Sequence, residues 1–185
     1  MKNFNKLLAI LMGLFVIYYS FIDNNFFHVF FILILIIPFI FKIPPLHACI
    51  FLIMTFLLIF VGFQVNLYQK TNYFDKIAHF LFGIFGSILA LLVLAKFKIL
   101  KKDLLFTCIF IFCFGMALIV LWETFEYAAD TFFGSDMQRR ATGVHDTMQD
   151  IIVCTIGHIM FILWYIFEVK MKKNGLITRL IKEMK

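Results

Sequence analysis

The chain has 185 residues, of which 63% are hydrophobic and 15% are charged, with a net charge of +6 and a mean hydropathy of +0.98. This composition lies far outside the range of soluble domains and predicts an integral membrane protein without room for a sizeable soluble domain. The lysines flank apolar runs and do not form a basic patch, so the charge indicates membrane topology and excludes nucleic acid as the expected partner. The four cysteines lie in apolar runs without CxxC spacing, as buried small hydrophobic residues do.

Six apolar runs have the length and composition of membrane helices. They are predicted, in chain order, at residues 7–22, 26–41, 46–63, 76–95, 104–130 and 151–169, followed by an amphipathic basic tail at 170–185. Lys2 and Lys6 before the first run resemble the start of a signal peptide, but no small-x-small cleavage site follows, so this run is predicted to be a retained helix. The predicted fold class is therefore all-α: one polytopic membrane domain over residues 1–185, built as a six-helix transmembrane bundle.

Basic residues in the connecting segments predict the orientation. With the N-terminus inside, the inner segments carry thirteen of the 17 Lys and Arg residues, and the outer segments carry Lys70, Lys76, Arg139 and Arg140. Both termini are therefore expected in the cytoplasm, with the protein spanning the membrane several times. The basic tail is expected to lie on the anionic inner leaflet.

Three polar stripes at helical spacing occur near the ends of the last three predicted helices. They comprise Asp75 and His79 on the fourth, Glu123, Glu126 and Asp130 on the fifth, and Asp146 and Asp150 on the sixth. The predicted orientation puts all three stripes at the extracytoplasmic face, beside a connection that carries Arg139 and Arg140. We therefore expect the stripes to meet in one site.

The residue types in these stripes allow several chemistries. The seven stripe residues are candidate acid–base catalysts, because crowded carboxylates and a histidine can exchange protons with a substrate. Lys76, Gln138, Arg139 and Arg140 are candidates for binding an anionic substrate. His79, Glu123, Glu126 and Asp150 are candidate ligands for a divalent metal ion as cofactor, although no HExxH or paired ExxH spacing is present.

A structural interpretation is also open. Asp75 and Asp146 can cap helix N-termini, and the carboxylates near the end of the fifth helix can form an ion-pair cluster with nearby cations. Gly83, Gly115 and Gly157 continue the stripes toward the membrane interior and predict close packing of the last three helices. His28, His47 and His158 are isolated in the sequence and are interpreted as structural.

In two segments the sequence resembles a known family. They are FDKIAHFLFG at residues 74–83 and WETFEYAADTFFGSDMQRRATGVHDTMQDIIVCTIG at 122–157. Together they resemble the YjdF-like family of small bacterial inner-membrane proteins and, more distantly, the VanZ-like proteins of the cell envelope. The shared pattern is Asp-Lys-x-x-His-Phe, an acidic helix end, a Gly and Arg loop, and an Asp followed by a Gly. The matching positions are Asp75, Lys76, His79, Phe80, Gly83, Glu123, Glu126, Asp130, Gly134, Gln138, Arg139, Gly143, Asp146, Asp150 and Gly157.

The VanZ-like pattern differs at two places. Its acidic helix end reads Asp-Glu-x-x-Gln where this chain has Trp-Glu-x-Phe-Glu, and it usually has Asn where this chain has Cys154. The resemblance implies a polytopic bacterial membrane protein, with a loose association with the envelope or with glycopeptide tolerance for VanZ-like members. It implies no particular reaction.

Three functions are compatible with these observations. In the first, Arg139 and Arg140 hold the anionic head of an envelope phosphate-bearing lipid or lipid-linked precursor, while His79 and the carboxylates act as acid–base groups or metal ligands. The second is a small ion- or solute-coupled carrier, which would be oligomeric because six short helices enclose little volume. It ranks lower because the inner halves of the three helices that carry the stripes have no ionisable residues to relay a proton or cation. The third is a non-catalytic membrane partner. Membrane lipids are the expected partners, while homo-oligomerisation and enzymatic activity remain open.

Overall fold

The computed structural model describes residues 1–22, 32–62, 67–100, 103–138, 143–172 and 174–184. Within these ranges the regular structure is helical, as the sequence predicts, and no strand occurs. The helices are α1 (Lys2–Ile22), α2 (Ile32–Ile40), α3 (Pro45–Thr55), α4 (Leu67–Lys70), α5 (Asn72–Lys96), α6 (Leu104–Phe133), α7 (Val144–Lys170) and α8 (Leu176–Met184), and a π-helical turn (Phe56–Val61) continues α3.

Two helix starts differ from the predicted bounds in a way that matters for the charged residues. Helix α5 begins at Asn72, not at residue 76, and α7 begins at Val144, not at residue 151. The sequence interpretation began each of these two helices at the apolar run, whereas the helical backbone already includes the polar residues before that run. Asp75 and Asp146 consequently lie in the first turns of these helices.

Four of the described helices are long and apolar enough to cross a membrane: α1, α5 from Tyr73 onward, α6 and α7. The apolar stretch Pro45–Leu58, which contains α3, is shorter. Large apolar side chains remain exposed on these helices, for example Leu121 at 65% and Leu163 at 60%, as expected for a lipid-facing surface. The protein is therefore a multi-pass membrane protein. That it has six spans, and that both termini lie in the cytoplasm, are predictions.

The described chain forms two compact units, Met1–Thr71 with Lys182–Lys185, and Asn72–Ile181. In the first unit, α1, α2 and α3 pack on one another, with Val16, Leu35 and Leu52 buried. Asn5 Nδ2 donates a hydrogen bond of 2.7 Å to the backbone oxygen of Pro45, which ties the start of α1 to the start of α3. The tight hairpin predicted at residues 23–25 lies outside the described residues.

The second unit consists of α5, α6, α7 and the part of α8 up to Ile181. Its apolar core includes Leu91 of α5, Ile111 of α6, Phe161 and Tyr165 of α7, and Ile177 of α8. Helices α5 and α7 approach each other closely at Gly83 and Gly157. A Cβ atom on Gly83 would collide with the backbone oxygen of Cys154, and one on Gly157 with that of Phe80. The predicted close packing through glycines is confirmed at this crossing.

The C-terminal helix is fastened by an acid inside the second unit. The buried carboxylate of Glu168 accepts hydrogen bonds from the backbone nitrogens of Ile177 at 3.1 Å and Thr178 at 2.9 Å, both in the first turn of α8. A carboxylate at this end of a helix also meets the positive end of the helix dipole. The basic tail thus contains a helix whose residues Ile177, Leu180 and Ile181 are buried.

Candidate functional site

The three polar stripes meet where α5 and α7 begin and α6 approaches its end. We call this cluster the charged centre and define it by Asp75, Lys76, His79, Glu123, Asp146 and Asp150. The meeting of the stripes, which is the central site prediction, follows from the packing of α5 against both α6 and α7.

Lys76 joins α5 to α7. Its Nζ donates to Asp146 Oδ1 at 2.8 Å and to Asp150 Oδ1 at 2.7 Å, and lies 3.4 Å from Asp75 Oδ2. The two α7 acids are four residues apart on one helix face, so one ammonium group reaches both. Lys76 was a candidate for binding substrate, and here its charge is engaged by three carboxylates of the protein.

His79 has carboxylates on both sides of its ring. Its Nδ1 lies 3.1 Å from the backbone oxygen of Asp75, 3.3 Å from Asp75 Oδ1 and 3.2 Å from Asp150 Oδ1. Its Nε2 lies 3.5 Å from Glu123 Oε1 on α6. Asp75, His79 and Asp150 each offer a ligand atom within 4.8 Å of the others, a spacing that also occurs in metal sites.

Glu123 is the least compensated acid in the charged centre. Its residue is 5% exposed, and neither carboxylate oxygen accepts a hydrogen bond from any residue that the structure describes. His79 Nε2, in a residue that is 6% exposed, is likewise without a hydrogen-bond partner among the described residues. Leaving such a group buried and unsatisfied costs about 1–3 kcal/mol, and more when it is charged. The pair therefore marks a position where a positive group or ligand is needed.

Glu126 lies one turn after Glu123 and is also buried. Its Oε1 accepts a hydrogen bond of 2.7 Å from Trp122 Nε1, and the Trp122 ring packs 5.9 Å from the ring of Phe82 on α5. Glu126 is thus held by a side chain of its own helix, at the edge of the charged centre.

Asp130 and Gln138, both site candidates from the sequence, organise the segment that follows α6. Asp130 accepts hydrogen bonds from Ser135 Oγ and from the backbone nitrogens of Met137 at 2.8 Å and Gln138 at 2.9 Å. Gln138 Nε2 donates to Thr147 Oγ1 on α7 at 3.1 Å. Helix α6 itself ends at Gly134, whose φ of +67° is left-handed. Arg139 and Arg140 lie outside the described residues.

A second polar contact lies deeper along the same helix faces, and the sequence interpretation missed it. His158 is fully buried, with Nδ1 2.8 Å from Ser87 Oγ on α5 and Nε2 3.5 Å from Cys154 Sγ. The His158 ring fills the space that a side chain at Gly115 of α6 would need. His158 is near the middle of the 27-residue helix α7, so the polar face continues from the charged centre as far as the middle of this helix.

The four-residue spacing of polar and small residues on α5 and α7 could have predicted this contact. Asp150, Cys154 and His158 follow each other at steps of four on α7, and His79, Gly83 and Ser87 do so on α5. Two such runs on helices in contact place their members side by side in pairs. Treating His158 as isolated overlooked its register with Ser87.

Comparison with known families gives one match. A family model described as "Predicted membrane protein (DUF2238)" matches residues 5–170. This family is the YjdF family, in agreement with the YjdF-like resemblance, and the match extends over the first three predicted helices as well; a VanZ-like relationship is not shown. No curated protein and no solved structure matches the chain.

Proposed function

Because the chain belongs to the DUF2238 family of predicted membrane proteins, we propose a function from the chemistry of its charged centre. The protein binds the head group of an envelope phosphate-bearing lipid or lipid-linked precursor, and His79 and the carboxylates act there as acid–base groups or as metal ligands. The observation that carries this proposal is the buried, unsatisfied pair of His79 Nε2 and Glu123.

The proposed setting is the extracytoplasmic face of a bacterial inner membrane, with six spans and both termini in the cytoplasm. The distribution of Lys and Arg supports this orientation. In it, the charged centre lies at the depth where lipid head groups meet the hydrocarbon, and the acyl chains of a bound lipid remain in the bilayer beside the exposed apolar faces of α6 and α7.

Charge explains how an anionic head group fits an acidic centre. Four carboxylates face two basic side chains, Lys76 and His79, so the centre alone does not attract phosphate. The sequence between α6 and α7 contains Arg139 and Arg140, and guanidinium groups bind phosphate through paired hydrogen bonds. We propose that these arginines hold the phosphate and that His79 contacts the reacting part of the head group.

Bound lipid on the purified protein tests this function. Mass spectrometry of the detergent-purified wild type is expected to find a phosphate-bearing lipid that a Glu123→Gln, Glu126→Gln, Asp150→Asn variant and an Arg139→Gln, Arg140→Gln variant have each lost. The control is Asp103→Asn, because Asp103 is the N-cap at the other end of α6 and accepts from the backbone nitrogen of Leu105 at 2.9 Å. Equal lipid retention by wild type and both variants, all folded, would contradict the proposal.

A second candidate function is a small ion- or solute-coupled carrier, and it is favoured by the contact between His158 and Ser87. This contact extends the polar faces of α5 and α7 inward from the charged centre, as a transport path requires. It ranks second because the apolar core of Leu91, Ile111 and Phe161 lies beyond it.

A further inference from the structure

His79 Nε2 and Glu123 Oε1 lie 3.5 Å apart, and no described residue donates a hydrogen bond to the Glu123 oxygens. A backbone carbonyl oxygen only accepts hydrogen bonds, so the contact of Nδ1 with the Asp75 oxygen at 3.1 Å assigns the ring hydrogen to Nδ1. In a neutral imidazole, Nε2 then carries a lone pair and points at a carboxylate oxygen 3.5 Å away. Two acceptors at this separation repel each other unless a proton or a metal ion lies between them.

The other acidic side of His79 already has its cation. Asp75 and Asp150 flank Nδ1, and Lys76 Nζ lies 2.7 Å from Asp150 Oδ1 and 3.4 Å from Asp75 Oδ2. Although Asp75, His79 and Asp150 have a spacing compatible with a metal ion, the ammonium group occupies the neighbourhood of their oxygens. The uncompensated acceptors are on the Nε2 side, where both Glu123 oxygens are buried without a hydrogen bond from a described residue.

The separation of the two atoms distinguishes a proton from a metal ion. A charge-assisted hydrogen bond between imidazolium and carboxylate has a length of about 2.7–2.9 Å. Two ligands bound to zinc at about 2.0–2.2 Å, at a tetrahedral angle, lie about 3.4 Å apart. The observed distance of 3.5 Å is longer than such a hydrogen bond and is compatible with two ligands of one metal ion.

We propose that the charged centre binds a divalent transition-metal ion between His79 Nε2 and the carboxylate of Glu123. Asp75 and Asp150 act from outside the ligand set, because they hold Nδ1 and thereby the ring orientation, as carboxylates behind metal-bound histidines do. Nitrogen and oxygen ligands together suit zinc or manganese. The proposal rests on the function given above, since positions not filled by the protein are open to phosphate oxygens of the head group.

Metal titration of the full-length protein tests the proposal. Detergent-purified protein is stripped with a chelator and titrated with Zn²⁺ against a chromophoric competitor, and separately with Co²⁺ while the visible spectrum is recorded. We expect one ion per chain in the wild type and in Asp103→Asn, and an affinity at least about 100-fold lower in Glu123→Gln, because a lost ligand costs at least as much as a lost supporting residue.

A variant that restores binding separates coordination from folding. Glu123→His keeps a metal ligand at the same position, so we expect this variant to bind Co²⁺ with a shifted visible spectrum. If the Glu123 carboxylate had only a structural role, histidine at this position would not restore Co²⁺ binding. The proposal is overturned if the wild type binds neither ion, if folded Glu123→Gln binds as tightly as wild type, or if Glu123→His binds no Co²⁺.

Lipid analysis of the same samples separates this proposal from the function it rests on. Lipid that is retained by the wild type and lost in the arginine variant, without any metal binding, overturns the metal site alone. Metal binding that depends on Glu123, in protein that never retains a phosphate-bearing lipid, overturns the lipid function and leaves the metal site in place.

Discussion

At the scale of single residues, Lys76 is the cation that makes an acidic cluster compatible with a folded membrane helix bundle. Its side chain is 20% exposed and contacts acids from two helices. The sequence identified the residues of this cluster but assigned Lys76 to substrate, because positions along the chain do not reveal which charges neutralise each other. That pairing depends on the rotation of α5 against α7, which is set by glycine packing further along both helices.

Removing the Lys76 charge is therefore expected to destabilise the protein. Lys76→Met keeps an unbranched side chain that is one atom shorter, but leaves three carboxylates near one another without the ammonium group. We expect this change to lower the free energy of unfolding by about 2 kcal/mol for this partly exposed group. The midpoint of thermal unfolding in detergent measures the effect. The double variant with Asp146→Asn removes one of the acids that Lys76 contacts and should recover part of the loss. An unchanged midpoint in Lys76→Met would show that the ion pairs contribute little.

At the scale of elements, the crossing of α5 and α7 determines whether the charged centre can form. Both polar faces were predictable from the four-residue spacing, and so was the need for small residues between the helices. The helix starts were not predictable by the same reasoning. Apolar periodicity ends where Asp75 and Asp146 begin, while backbone hydrogen bonding continues to Asn72 and Val144.

A methyl group at the crossing is expected to separate these two helices. In Gly83→Ala, the new Cβ atom meets the backbone oxygen of Cys154, which cannot rotate away, so we expect a loss of at least about 2–3 kcal/mol in stability. Thermal unfolding and metal titration should both report the change. The matched control is Gly13→Ala in α1, where the atom closest to the added Cβ is Ile32 Cγ2 at 4.0 Å, and it should unfold like wild type.

At the scale of the whole molecule, composition alone was enough to identify a multi-pass membrane protein, since 63% of the residues are hydrophobic. The number of spans is harder to predict because the described part of α2 has 9 residues and contains Pro38, and α3 has 11 residues before the π-helical turn that continues it. At 1.5 Å per residue, helices of these lengths rise only about 14 and 17 Å, against about 30 Å of hydrocarbon. The predicted orientation depends on the distribution of basic residues along the chain.

Thiol labelling in intact cells measures the orientation directly. Asp136→Cys, in the segment between α6 and α7, is expected to react with a membrane-impermeant maleimide from outside, whereas Asn174→Cys should react only after permeabilisation; both positions are exposed. Wild type is the control, because its cysteines lie in apolar helices. Labelling of Asn174→Cys in intact cells would reverse the predicted orientation and put the charged centre on the cytoplasmic side.

The bridge from Lys76 to Asp150 spans 74 residues of sequence, which has a consequence for biogenesis. During synthesis, α5 reaches the membrane with an acid, a lysine and a histidine in its first turns before the acids of α7 have been translated. Uncompensated charges of this kind are costly within the hydrocarbon. The start of α5 is therefore expected to stay near the membrane surface or the insertion machinery until α7 arrives, so that the two helices complete their insertion as a pair.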